Sequence, residues 1–291
     1  MVVPSANTHR LARVVARVGA VVVVASCLLI LLVNAHWEVR ASADSTQSHP
    51  IWQLWIAPSL GALAVCLTTA RNRARPAWQL DPLQRRRVDV EAGLLALCAL
   101  AFAATLVGFG ARDPFYVVAK VVLLVVLPGL VLIVGRRACG PLSIPGPADS
   151  SLSAVIPVAV WVAAAYVTPL APDPVVLGMD AVGVVLVLGG GFLVNAVVEE
   201  VFYRRWLLTR LQATVGATAA ILCSAIAWSA WHAAIQGVGS LDVDLAAVIA
   251  RHLPMGVFLG LLWTRHRRMW PILTVHGLLN SVPVLLGLVP S

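Results

Sequence analysis

The sequence predicts an all-α, polytopic integral membrane protein with about nine transmembrane helices and a cytoplasmic N-terminus. Three observations carry that expectation. First, 60% of the 291 residues are hydrophobic and only 12% are charged, where a soluble domain carries roughly 25% charged residues. With a mean hydropathy of +0.89, the chain has too few charges to cover a water-facing surface. A soluble globular enzyme, a disordered chain and a disulfide-stapled secreted module are all excluded. Second, apolar runs long enough to cross lipid recur from end to end. Third, the basic residues alternate between successive loops.

A bilayer core about 30 Å thick takes roughly 20 apolar residues in a helix, because every backbone amide must be satisfied within the segment. Nine stretches approach that length, near Val18–Ala35, Ile51–Ala70, Ala92–Gly110, Phe115–Gly135, Ala154–Leu170, Ala181–Val201, Val215–Ala234, Leu245–Trp263 and Pro271–Val289. Arg10, Arg13 and Arg17 precede the first, as in a signal peptide. Its apolar core exceeds the usual length and no small-x-small cleavage site follows, so it reads as an anchor. With the N-terminus inside, the inner loops hold 17 of the 21 basic residues, the bias that orients membrane helices. The outer loops keep Arg40 and Arg112, while Lys120 and Arg251 fall inside or near helix ends.

The net charge of +8 is spread over short loops. No soluble basic domain is present to bind nucleic acid, and none is expected as a partner. Lys120 is the single lysine among many arginines, a bias that fits a GC-rich coding habit and suggests a bacterial plasma membrane. Five scattered cysteines show no paired spacing and read as packing residues. The polar stretch Arg71–Glu91 reads as an inner loop. Gly140–Ser153, with Pro141, Pro145 and Pro147, is the candidate boundary between residues 1–150, four helices of unclear function, and residues 151–291.

Ionisable groups at membrane depth are costly, so each is a functional candidate. Two adjacent carboxylates, Glu199 and Glu200, sit inside the sixth run. Glu200 and Arg204 are four apart, on one helix face with Glu N-terminal. Glu199 lies about 100° around the helix, free of that pair and available as a general base. His276 and Asn280 share a face of the last run, and Trp228 and His232 a face of the seventh. Two imidazoles, a carboxamide and a carboxylate suit the activation of a water and the stabilisation of an oxyanion. Each residue also has a bland reading: a structural ion pair for Glu200–Arg204, a satisfied buried histidine for His232, interhelical hydrogen bonding for His276–Asn280. His252 reads as structural, and Lys120 as snorkelling or paired locally. Trp37, Trp52, Trp55, Trp78, Trp206, Trp263 and Trp270 read as an interfacial belt. Gly189-Gly190-Gly191 reads as a site of close helix approach, with a local hinge as the alternative.

Three motifs resemble those of the CPBP family, the CAAX-protease and bacteriocin-processing intramembrane proteases. Glu199-Glu200-Val-Phe-Tyr-Arg204 resembles its E-E-x-x-x-R motif, Trp228-Ser-Ala-Trp-His232 its F-x-x-x-H motif, and His276-Gly-Leu-Leu-Asn280 its H-x-x-x-N motif. Gly256, Gly260 and Trp270-Pro271-Ile272 on the approach to the third also fit. The similarity covers about Val182 to Val284.

The resemblance implies an intramembrane endopeptidase acting on a peptide or membrane-protein substrate within the lipid bilayer. Glu199 would activate the water with His232 as partner, and His276 and Asn280 would hold the water and the oxyanion. Glu200 and Arg204 would orient the site. Trp228 departs from the usual Phe, adding bulk and an N–H donor. The family is described both as metal-dependent and as glutamate-activated. Glu199, His232 and His276 would be the ligands of a divalent metal such as zinc, although the motif spacing does not require one and the H-E-x-x-H pattern is missing.

Two other functions compete. A catalytically silent scaffold or immunity-type protein would bind a partner helix, yet has no need of all four polar residues. A transporter with a proton relay would be expected to show an internal repeat. The spans also create a tension: Glu199 falls near the inner end of the sixth helix and His232 near the outer end of the seventh, over ~20 Å apart in depth at about 1.5 Å per residue. Convergence requires the sixth helix to run on to about Leu211, and the seventh to start late or bend.

Overall fold

A computed structural model describes residues 6–33, 38–40, 48–69, 78, 80–142, 144, 146, 151–168, 181–237 and 239–286. These hold helices in all nine expected stretches: α1 (Ala6–Val33), α2 (Ile51–Thr69), α3 (Pro82–Phe109), α4 (Phe115–Cys139), α5 (Val155–Tyr166), α6 (residues 181–215), α7 (Ala217–Gln236), α8 (Leu241–His266) and α9 (Met269–Leu286). Seven of them, α1 to α4 and α6 to α8, are long and apolar enough to cross a membrane. α5 has only 12 residues, short of a span, and α9 has 18. The protein is an all-α, multi-pass membrane protein, with one small addition: an antiparallel pair, β1 (Glu38–Arg40) and β2 (Ser48–Pro50), joins α1 to α2.

The sequence places the start of α3 ten residues too late. Residues 82–91 are helical, not an inner loop. Asp81 accepts from the Gln84 amide at 2.8 Å while its own amide donates to Gln84 Oε1 at 3.3 Å, and Pro82 sits in the first turn. That reciprocal cap with an early proline starts helices. The charges that suggested a loop are partnered: Glu91, 2% exposed, takes Arg87 at 2.6 Å and Arg210 of α6 at 3.0 Å. Glu91 is therefore a third buried carboxylate that the sequence reading set among the loops.

The helix positioning both motif carboxylates is α6, which spans Val182–Val215 over 34 residues and so places Glu199 near mid-length. This is the long helix that convergence demands. It ends at Gly216, whose φ of 81° is a conformation open to glycine, and α7 begins at once. Within α6 the backbone widens to π-helix at Gly191–Val197 and Glu200–Leu208. The triple glycine is not a close-approach site: a Cβ at residue 189, 190 or 191 would meet nothing within 4 Å, and the run ends where the helix changes from α to π. Close approach occurs instead at Gly256 of α8, where a Cβ would lie 2.8 Å from that of Ala225.

One apolar core joins the two parts of the chain. It takes Val65 from α2, Phe102 from α3, Leu124 from α4, Trp161 from α5, Tyr203 from α6, Trp228 from α7, Phe258 from α8 and Val275 from α9. The outer flanks stay apolar yet exposed, as with Leu97 of α3 and Leu186 of α6, the surface expected to meet lipid. The tryptophan belt is partial. Trp52 and Trp270 are exposed, Trp263 is buried and donates to Thr209, and Trp37 lies outside the described residues.

Candidate active site

The π-widened middle of α6 turns Glu199 and Glu200 towards different partners. Both are buried, at 1% and 0% exposure. Glu200 Oε1 accepts from His276 Nδ1 at 2.7 Å, and its Oε2 lies 3.3 Å from Arg204 Nε, an ion pair without hydrogen-bond geometry. The Arg204 guanidinium stacks over the Trp228 ring at 4.7 Å, while Nη1 and Nη2 find no hydrogen-bond partner among the described residues. Glu199 is held from two other sides. Its Oε2 accepts from Trp228 Nε1 and its Oε1 from Lys120 Nζ, each at 2.5 Å.

Trp228, on the last full turn of α7, is the hub. Its ring centre lies 5.2 Å from that of His232, 5.8 Å from His276 and 5.5 Å from His252, all edge-on. His232 follows where α7 breaks at a turn, the bend that convergence calls for. Its Nδ1 lies 2.9 Å from the Trp228 carbonyl. A carbonyl only accepts, so Nδ1 carries a proton and donates it there. The His276 ring is oriented likewise by its Nδ1 bond to Glu200. One turn further along α9, Asn280 Nδ2 is a buried donor with no hydrogen-bond partner among the described residues.

The structure therefore gathers Glu199, Glu200, Arg204, Trp228, His232 and His276 into one contiguous cluster, with Asn280 one turn from it. The N–H that distinguishes Trp228 from the usual Phe is the one that binds Glu199. Three participants escaped the sequence reading. Lys120 reaches across from α4, beyond a local pairing. Asn195, one turn before Glu199 on α6, accepts from Lys120 at 2.8 Å and from the Tyr116 hydroxyl at 3.0 Å. His252, read as structural, stacks on His232 at 4.1 Å and meets Gln236 at 2.8 Å. The isolated lysine at membrane depth and the four-residue spacing of Asn195 and Glu199 were the available signals.

The side chains do not fit a metal as they are arranged. Among the described residues no three His, Cys, Asp or Glu converge as ligands. The Lys120 ammonium already sits on the Glu199 oxygen a cation would take.

Residues 181–282 match the family model for type II CAAX prenyl endopeptidase, Rce1-like. No curated protein and no solved structure matches the chain. The matched segment opens at the first residue of α6 and runs into α9, so it contains the whole motif cluster. Over this segment, about a third of the chain, the protein is similar to the Rce1-like CAAX prenyl endopeptidases, a family of intramembrane proteases.

Proposed function

We propose that Glu199 activates a water that cleaves a peptide bond of a peptide or membrane-protein substrate at membrane depth. The observation that carries this reading is the Trp228 hub, where the Glu199 carboxylate and the His232 and His276 rings meet one indole. Glu199 takes a proton from the water as its oxygen attacks the scissile carbonyl carbon. When the C–N bond breaks, Glu199 returns that proton to the leaving amine. His232 Nε2 accepts the second O–H of the water and fixes its direction, and His276 is held beside it at the same indole. Asn280 Nδ2, a donor already paid for by burial, bonds the oxyanion. Glu200 and Arg204 hold His276 in place.

The charge pattern of the loops supports a cytoplasmic N-terminus, and the arginine-for-lysine bias supports a bacterial plasma membrane. A bacterium generally lacks prenylated tails, which favours a peptide or membrane-protein substrate over the prenylated one that the family description names. The test is cleavage of a peptide library by the protein in liposomes, comparing wild type with Glu199→Ala and His276→Ala. Cleavage by wild type alone supports the reading. Cleavage that survives both substitutions rejects the site, and the same biological activity in all three without cleavage identifies a scaffold.

A further inference from the structure

Lys120 is the only lysine of the chain. It lies in α4, outside the family-matched segment, and is fully buried. An ammonium has three N–H groups, and all three are used: Glu199 Oε1 at 2.5 Å, Tyr116 Oη at 2.6 Å and Asn195 Oδ1 at 2.8 Å. The Tyr116 and Trp231 rings close over the charge, each centred 4.8 Å away. Two four-residue spacings build this cage, Tyr116 with Lys120 on α4 and Asn195 with Glu199 on α6. Each spacing puts its two side chains on one helix face. Tyr116 in turn donates to Asn195, so the acceptor oxygens are fixed independently of the lysine.

We propose that Lys120 is a positioning residue of the active site, a resident cation supplied by α4 that pairs with the Glu199 carboxylate and aims it. This rests on Glu199 being the general base. A lone carboxylate at this depth is expensive, and a compact ammonium with saturated donors supplies a fixed counter-charge. Having no free N–H, Lys120 holds Glu199 and does not bind substrate. Guanidinium is planar with five donors and does not reproduce this three-way contact, which accounts for a lysine in a chain that otherwise uses arginine. Helix α4 thereby contributes to catalysis beyond anchoring.

The test uses the full-length protein in detergent micelles with a peptide that wild type cleaves. Lys120→Ala should lower kcat about 100-fold, the scale of a misaimed catalytic group, with KM within threefold. Added propylammonium, which fits the vacated arm and has three N–H donors, should restore at least tenfold. Tetramethylammonium, a cation without N–H donors, should restore nothing. Lys120→Met keeps the side-chain volume and should lose kcat equally while melting within a few degrees of wild type. The proposal is overturned if kcat stays within threefold of wild type, if KM carries the loss, if propylammonium restores nothing, or if both variants lose activity only through unfolding. Glu199→Gln separates the two levels. Full activity in Glu199→Gln removes the underlying reading, whereas an inactive Glu199→Gln beside a fully active Lys120→Met removes only the role of the lysine.

Discussion

Trp228 donates its indole N–H to Glu199 at 2.5 Å, joining the second motif to the first through the atom by which this chain differs from the usual phenylalanine. A hydrogen bond to a charged group is worth about 1.5–3 kcal/mol. Trp228→Phe, which keeps an aromatic ring and removes the donor, should therefore lower kcat by about tenfold with KM little changed. Steady-state kinetics on a cleaved peptide checks this. An unchanged kcat would mean that the indole fills space and does not aim the carboxylate.

Glu200 has two partners, His276 and Arg204, and Arg204 also covers Trp228. Removing one member of a buried pair strands the other charge, at a cost of about 3–5 kcal/mol. Arg204→Met should destabilise the protein on that scale in chemical denaturation from detergent. Arg204→Lys should recover only part, because an ammonium cannot lay a flat face on the indole.

Glu91 ties α3 to the C-terminal half of α6 by holding both Arg87 and Arg210. Glu91→Gln leaves two guanidinium groups facing each other and should cost about 3 kcal/mol of stability. The remaining folded molecules should keep kcat within twofold of wild type, since Glu91 contacts none of the motif side chains. Denaturation midpoints and kinetics on the same sample separate these effects.

Gly256 lets α8 press against α7, with a Cβ there falling 2.8 Å from the Ala225 Cβ and 3.0 Å from its Cα. Gly256→Ala should destabilise by about 1–3 kcal/mol through overpacking. Gly93→Ala, where a Cβ meets nothing within 4 Å, should cost nothing, because alanine is the better helix former. Melting curves for the pair check both.

Much of this architecture can be read from the chain. Apolar run length finds the helices because lipid forbids unsatisfied backbone. The three motifs name the side chains that meet, since four-residue spacing on a helix fixes a shared face. The errors have local causes. Asp81, Pro82 and Gln84 carry a helix start that the nearby arginines obscured, and the glycine run suggested packing where the helix changes pitch. Lys120 was hidden for a different reason: 79 positions separate it from Glu199, and no spacing rule links residues on distant helices. From sequence it reads as snorkelling or paired locally, and neither reading names Glu199.

The most direct measurement of the central claim is the single-turnover cleavage rate of Glu199→Gln in liposomes. This change keeps the shape of the side chain and removes its capacity to take a proton. General-base catalysis contributes about 10²–10⁴-fold, so the account predicts a rate at least 100-fold below wild type with substrate still bound. A rate within a few-fold of wild type would contradict it and move the chemistry to another residue.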